Sequence, residues 1–287
     1  MASFSEHRAR ATMWMQSLVG GTTSVKEARR LRLDKLCAVT QKHAELAGSV
    51  QQIEKDLPRL DVGSASAGVD ETPQSRRQRV RKVLMAWLAL NNFVGYSQGM
   101  DMVCHTLLCA YERGGSDTPL NDTLASLAAV ANINSNIVPL HALDATPIRH
   151  SLRLAHHVWD EVASAASSLQ APLRAVMPQM QMFVLRVLPP CFCNAVARQD
   201  ALECLWDYVL LADPRHRAPR CRHLVSAMLL HHRRLFEFGV DHLQNFVIFE
   251  HLVGLTTEEQ ARQIVDVAKH LERVDTMCHG TSGGAFL

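Results

Sequence analysis

The chain has 287 residues, 47% of them hydrophobic and 20% charged, with 30 Lys and Arg against 28 Asp and Glu. That is long enough for one large domain or two small ones, and too apolar for a disordered chain. A net charge of +2 excludes whole-surface attraction to nucleic acid or to anionic lipid as the basis of function.

The opening MASFSEHRARATMWM is charged and lacks the continuous apolar region of a secretory signal. No window reaches the run of about 18 apolar residues that a spanning helix needs, and the best candidate, MFVLRVLPP, is broken by Arg186 and Pro189. The eight cysteines are scattered through helical patterns, which points to reduced thiols and a cytoplasmic protein. No lipidation motif is visible, so any peripheral presence on endomembranes is expected to come through a partner.

Taken in chain order, the apolar spacing is helical almost throughout. RATMWMQSLVGG reads as a short helix stopped by Gly20 and Gly21. TTSVKEARRLRLDKLCAVTQKHAELAGSVQQI opens on N-cap candidates and continues as one long helix or two. The stretch from Val62 to Gln74 is small, polar and carries Gly and Pro, the signature of a loop. RRQRVRKVLMAWLALNNF is an amphipathic helix with a basic start, and MDMVCHTLLCAYER is a helix ended by Gly114 and Gly115. Six further helical segments follow, the last being TTEEQARQIVDVAKHLERV. DHLQNFVIFEH alone is ambiguous between helix and strand, and the tail 276–287 reads as frayed. The expected fold class is all-α, without a fixed-period repeat.

Several constellations carry no chemistry. Cys191 and Cys193 form a C-x-C beside Pro189 and Pro190, but no second pair follows at zinc spacing, so no metal site is expected. His156–His157 and His231–His232 are neighbours on helices, where side chains about 100° apart cannot share a ligand; they read as surface and boundary residues. TSGG lacks the Lys of a phosphate loop, and no G-x-S-x-G elbow occurs. The chain has no self-sufficient active site and is expected to bind no cofactor of its own.

Two polar residues in unusual settings remain. In QQIEKDLPRLD, Ile53 and Asp56 precede Arg59 at helical spacing, and Pro58 interrupts the helix. Arg59 therefore stands near a helix end, free to reach outward, with Asp56 as a partner able to hold it. In FVGYSQGMD, Gln98 lies between Tyr96 and Gly99 at a helix start. Gly99 permits close backbone approach there, and the helix N-terminus offers unpaired N–H groups. Taken singly, each residue also fits a solvated turn.

Together with their flanks these residues resemble the TBC domain of Rab GTPase-activating proteins. Arg10-Ala-Thr-Met-Trp14 matches the R-x-x-x-W motif of that family, Ile53-Glu-Lys-Asp56-Leu-Pro-Arg59 matches I-x-x-D-x-x-R, and Tyr96-Ser-Gln98-Gly99-Met100 matches Y-x-Q-G-M. Leu205-Trp206-Asp207 is similar to a Trp-Asp segment in the second half of the domain. The motifs occur in the family's order from Arg10 to about Glu272. The resemblance implies a V-shaped, all-helical domain of two lobes, here 1–150 and 151–275. It implies an activator rather than an enzyme, acting in vesicle trafficking on a Rab-type GTPase in its GTP-bound form. Arg59 and Gln98 would be the catalytic fingers, delivered in trans, while the partner holds GTP and Mg2+. Asp56, Tyr96, Gly99 and Met100 would support or bind. Arg10, Trp14, Ile53, Trp206 and Asp207 would be structural.

Such a division of labour is physically sound. GTP hydrolysis requires charge on the transferring phosphoryl group to be neutralised and the attacking water to be oriented. Arginine does the first with an always-charged fork of donors. A glutamine amide can hold a water while donating to a phosphate oxygen. The chain departs from the family at Ser97, where Cys is frequent, at Leu60, where Thr is, and at Asp101, where Asn is. Leu60 and Asp101 are expected near the GTPase contact surface, which leaves a second reading open: a non-catalytic Rab-binding adaptor. An unrelated helical scaffold is the third.

Overall fold

Local rules place the helix starts. Ser3 accepts from the Glu6 amide while the Glu6 carboxylate caps the Ser3 amide, a reciprocal capping box, and α1 (Phe4–Val19) runs from there to Gly20, whose φ of 93° ends it. The computed structural model describes residues 3–20, 22–60, 72–92, 95–137, 146–188, 190–237 and 254–279. Among these there is no strand beyond one isolated bridge between Val196 and Leu255, so the fold is all-α. No helix among the described residues is long and apolar enough to cross a membrane. DHLQNFVIFEH, the ambiguous segment, lies outside the described residues, as do residues 62–71 of the Val62–Gln74 stretch.

The chain divides into two compact units, Met1–Leu143 with Pro189–Asn194, and Asp144–Leu188 with Ala195–Leu287. Pro189–Asn194 thus belongs to the first unit, although the chain on either side of it belongs to the second.

The first unit holds α1, α2 (Thr22–Arg29), α3 (Leu33–Lys42), α4 (Ala47–Asp56), α5 (Pro73–Leu90), α6 (Met100–Arg113) and α7 (Pro119–Ile137). The segment expected as one helix or two is thus three, separated by a break at Arg30–Arg32 and a 3-10 turn at Ala44–Leu46. Thr72 caps α5 by accepting from the Ser75 amide, with Pro73 at the first helical position, where a missing N–H costs nothing. Pro73 and Gln74, read as loop from composition, therefore begin a helix.

α5 is also less amphipathic than its pattern implies: every residue from Val83 to Leu88 is buried, as expected of a helix packed on all sides. It contacts α3, α6 and α7. α6 is buried without interruption from Val103 to Tyr111. The basic start of α5 is satisfied internally, since Arg76 and Arg79 both pair with Glu112 of α6. Arg29 closes α2 on α7 through two 2.8 Å bonds to the Asp122 carboxylate.

The second unit holds α8 (Thr146–Ala165), α9 (Gln170–Ala175), α10 (Met177–Val187), α11 (Gln199–Leu210), α12 (Pro214–His231), α13 (Arg233–Glu237) and α14 (Glu258–His279). α14 packs on α11 and α12, and α8 on α10 and α12. The core is built round Phe183, Trp206 and Phe236. α14 continues to His279, so residues 276–279 of the expected frayed tail are helical. Residues 280–287 lie outside the described ones.

Candidate functional site

The chain approaches the first unit's candidate site from two directions. α4 ends at Asp56, and a 3-10 turn, Leu57–Arg59, follows with Pro58 inside it. Proline removes a donor and blocks continuation of the helix. Leu57 and Leu60 are buried on either side of this turn, and the Leu60 carbonyl accepts from Arg77 of α5 at 3.2 Å. With both flanking leucines anchored, Arg59 is turned outward, its side chain 77% exposed.

The second approach is the loop from Gly95 to α6. Met100 N–H donates to the Ser97 carbonyl at 3.1 Å, and Gly99 has φ 94° and ψ −12°. These are the marks of a type II turn with glycine at its third position. Gln98 takes the second position and is exposed. Gly99 is required twice over. Its φ is in the left-handed region, and a Cβ there would lie 2.7 Å from the Pro190 Cβ. Pro190 belongs to the returning segment of this unit, where Cys191 and Phe192 hold φ of 47° and 69° and Cys193 pairs with Thr106 of α6 at 3.7 Å.

Buried carboxylates join the two approaches. Asp56, 4% exposed, accepts from the Gln52 amide at 3.1 Å on each oxygen and from the Tyr96 hydroxyl at 3.1 Å. The same hydroxyl lies 3.0 Å from Asp101 Oδ1. Tyr96 is further fixed by its amide, which donates to Ser49 of α4 at 3.1 Å. Burial, then the Asp101 and Asp56 carboxylates, push the Tyr96 phenol far above its ordinary range, so it remains a neutral donor. Arg59 Nη1 stands 4.0 Å from Asp56 Oδ1, the outer edge of an ion pair, so Asp56 is bonded more closely to the Tyr96 loop than to Arg59.

Arg59 and Gln98, distant in sequence, are thus both exposed, on two segments of the first unit that meet at one buried carboxylate, Asp56. Met100 is buried behind the turn, and its sulfur receives the Ser97 amide at 3.4 Å. Ile53 and Trp14 are fully buried in this unit, and Arg10 is partly exposed on α1. Trp206 is core of the second unit, with Asp207 partly exposed beside it. Leu60 and Asp101, expected near a contact surface, are both buried. Side chains that point inward cannot alter a partner interface by direct contact.

Sequence reasoning passed over Gln52, Ser49 and Pro190. Gln52 was within reach of it, because position i−4 from Asp56 on one helix face is a hydrogen-bonding spacing. Ser49 and Pro190 arrive through tertiary packing and leave no local signal. His156 and His157 are exposed and His231 and His232 half-buried, in keeping with a boundary placement.

Among the described residues no group of three or more His, Cys, Asp or Glu is arranged to hold a metal. A search of curated protein sequences returns no match. The fold is that of the Ypt/Rab-GAP domain of Gyp1p, with a TM-score of 0.72 at 12% identity over 95% of this chain and 89% of that one. The Chlamydomonas flagellar RabGAP TBC domain is similar with a TM-score of 0.50 at 15% identity, over 93% of this chain and 96% of that one. The Rab-GTPase-TBC domain family matches residues 7–236, a span that contains all four sequence motifs, and the chain belongs to that family.

Proposed function

We propose that the chain accelerates GTP hydrolysis on a Rab-type small GTPase in its GTP-bound form, with Arg59 and Gln98 acting in trans as its two catalytic groups. The observation that carries this reading is their shared support: two exposed side chains of the required chemistry, each at a turn locked by buried residues, joined through Asp56 and Tyr96. Among the described residues the one ion pair of Arg59 is the 4.0 Å contact with Asp56.

In this reading the partner binds GTP and Mg2+, and the chain adds what the partner lacks. The Arg59 guanidinium neutralises charge developing on the transferring phosphoryl oxygens. The Gln98 carboxamide accepts from the attacking water through its oxygen and donates to a phosphate oxygen through its nitrogen. Fixed donors cost no reorganisation as the reaction proceeds, which is the use of anchoring both turns on buried groups. The substitutions Leu60 and Asp101 give little support to an adaptor, since both side chains face the interior.

Single-turnover hydrolysis over a panel of GTP-loaded Rab GTPases tests the proposal with wild type, Arg59→Ala and Gln98→Ala side by side. Acceleration on one or a few members, falling by about 10³-fold or more without the arginine and lost without the glutamine, is expected. Binding without acceleration on every member would leave the adaptor reading in place.

A further inference from the structure

Tyr96 has one hydroxyl hydrogen and faces two carboxylates, Asp56 Oδ2 at 3.1 Å and Asp101 Oδ1 at 3.0 Å. Both acids are nearly inaccessible, 4% and 5% exposed. Two buried negative charges around a neutral phenol are strongly disfavoured, and one hydrogen cannot serve both oxygens well. A second proton resolves the conflict. Placed on Asp101, it lets the Asp101 carboxyl donate to the Tyr96 oxygen while Tyr96 donates to Asp56. The negative charge then rests on Asp56, where the Gln52 amide and Arg59 face it.

We infer that Asp101 is a proton-carrying positioning residue, whose neutral carboxyl sets the Tyr96 hydroxyl toward Asp56 and so holds the Gln98 turn in register with Arg59. The groups facing Asp101 agree with this. Among the described residues it has no ion-pair partner; Tyr96 and Asp56 face it from the preceding loop and α4, Cys104 from its own helix and Cys193 from the returning segment. Both thiols are pushed well upward by burial and stay neutral. Burial raises the Asp101 carboxyl above its ordinary value, Asp56 adds to the shift, and the hydrogen bonds from Tyr96 and the Met102 amide oppose it. An asparagine at this position would donate to Tyr96 with no proton to lose. Aspartate makes the same link conditional on pH.

The inference rests on the activator reading for its consequence, though not for its chemistry, and the test separates the two. Carboxyl 13C resonances are followed against pH in wild type labelled at aspartate, the Asp101 signal being the one lost in Asp101→Asn. It is expected to remain protonated where surface aspartates are already ionised; ionisation together with them would overturn the inference. Single-turnover hydrolysis is then measured on an accelerated GTPase. Above the Asp101 midpoint, acceleration by wild type is expected to fall by up to about tenfold per pH unit relative to Asp101→Asn. Parallel profiles would overturn the positioning role. If wild type accelerates no GTPase, the activator reading fails alone, because the carboxyl titration needs no partner.

Discussion

The Tyr96 hydroxyl stands 3.1 Å from the Asp56 carboxylate, and this bond links the residue two before Gln98 to the residue three before Arg59. Removing the hydroxyl takes a donor from Asp56 and an acceptor from Asp101. Tyr96→Phe is expected to lower unfolding stability by about 2 kcal/mol, the range for a hydrogen bond to a buried charged group. It should also slow the accelerated hydrolysis with both Arg59 and Gln98 still present. Urea unfolding and single-turnover rates measure the two effects. A loss of stability with full acceleration would show that the bond holds the fold and does not position the site.

Gly99 and Gly20 have nearly the same φ, 94° and 93°, in different surroundings. A Cβ on Gly20 would meet nothing within 4 Å, whereas one on Gly99 would lie 2.7 Å from the Pro190 Cβ and 3.3 Å from its Cα. Gly20, with ψ −155°, lies in a region open essentially to glycine alone, so Gly20→Ala should show backbone strain without a clash, about 1–3 kcal/mol. Gly99→Ala adds a clash against a rigid ring and should cost about 2–4 kcal/mol. A loss of no more than about 1 kcal/mol in Gly99→Ala, measured by denaturant unfolding, would mean that Pro190 yields without cost and does not fix the Gln98 turn.

Arg59 contributes little to the fold, because its side chain is 77% exposed and reaches Asp56 only at 4.0 Å. Arg59→Lys keeps the charge and loses the planar fork. Its stability should lie within about 0.5 kcal/mol of wild type, while acceleration should fall by roughly 10³-fold. Thermal unfolding and hydrolysis rates on the same preparation check both parts. A lysine variant that retained most of the acceleration would show that charge alone suffices and that bidentate geometry plays no part.

Much of this site can be read from the chain. Pro58 predicts that the helix carrying Asp56 ends before Arg59, and it does. Gly99 predicts close approach at the Gln98 turn, and Pro190 supplies the approaching group. What stays hidden is set by tertiary contact. Nothing local says that Asp101 points inward, since an acidic residue in the first turn of a helix is favoured with or without burial. Cys191 and Phe192 carry no sign of left-handed backbone, a conformation usually marked by Gly, Asn or Asp. Composition also misassigned Pro73 and Gln74, because proline suits a loop and the first position of a helix equally.

The second unit supplies a separate pH dependence at His232. Its ring packs edge-on against His231 at 4.9 Å between centroids, and its buried Nε2 has no hydrogen-bond partner among the described residues. Burial, with the neighbouring His231, pushes its pKa down from 6.5 to about 4. Below the ordinary value the unfolded chain takes up a proton that the folded chain refuses, so the unfolded state gains as pH falls. Stability should hold above about pH 6.5 and decline between that value and pH 4. The ring is partly exposed, so the decline attributable to it is about 1–2 kcal/mol rather than the full shift. His232→Asn should lose less over the same window, measured as denaturant midpoints at about pH 7, 6 and 5. Identical slopes in wild type and variant would assign the acid sensitivity to other groups.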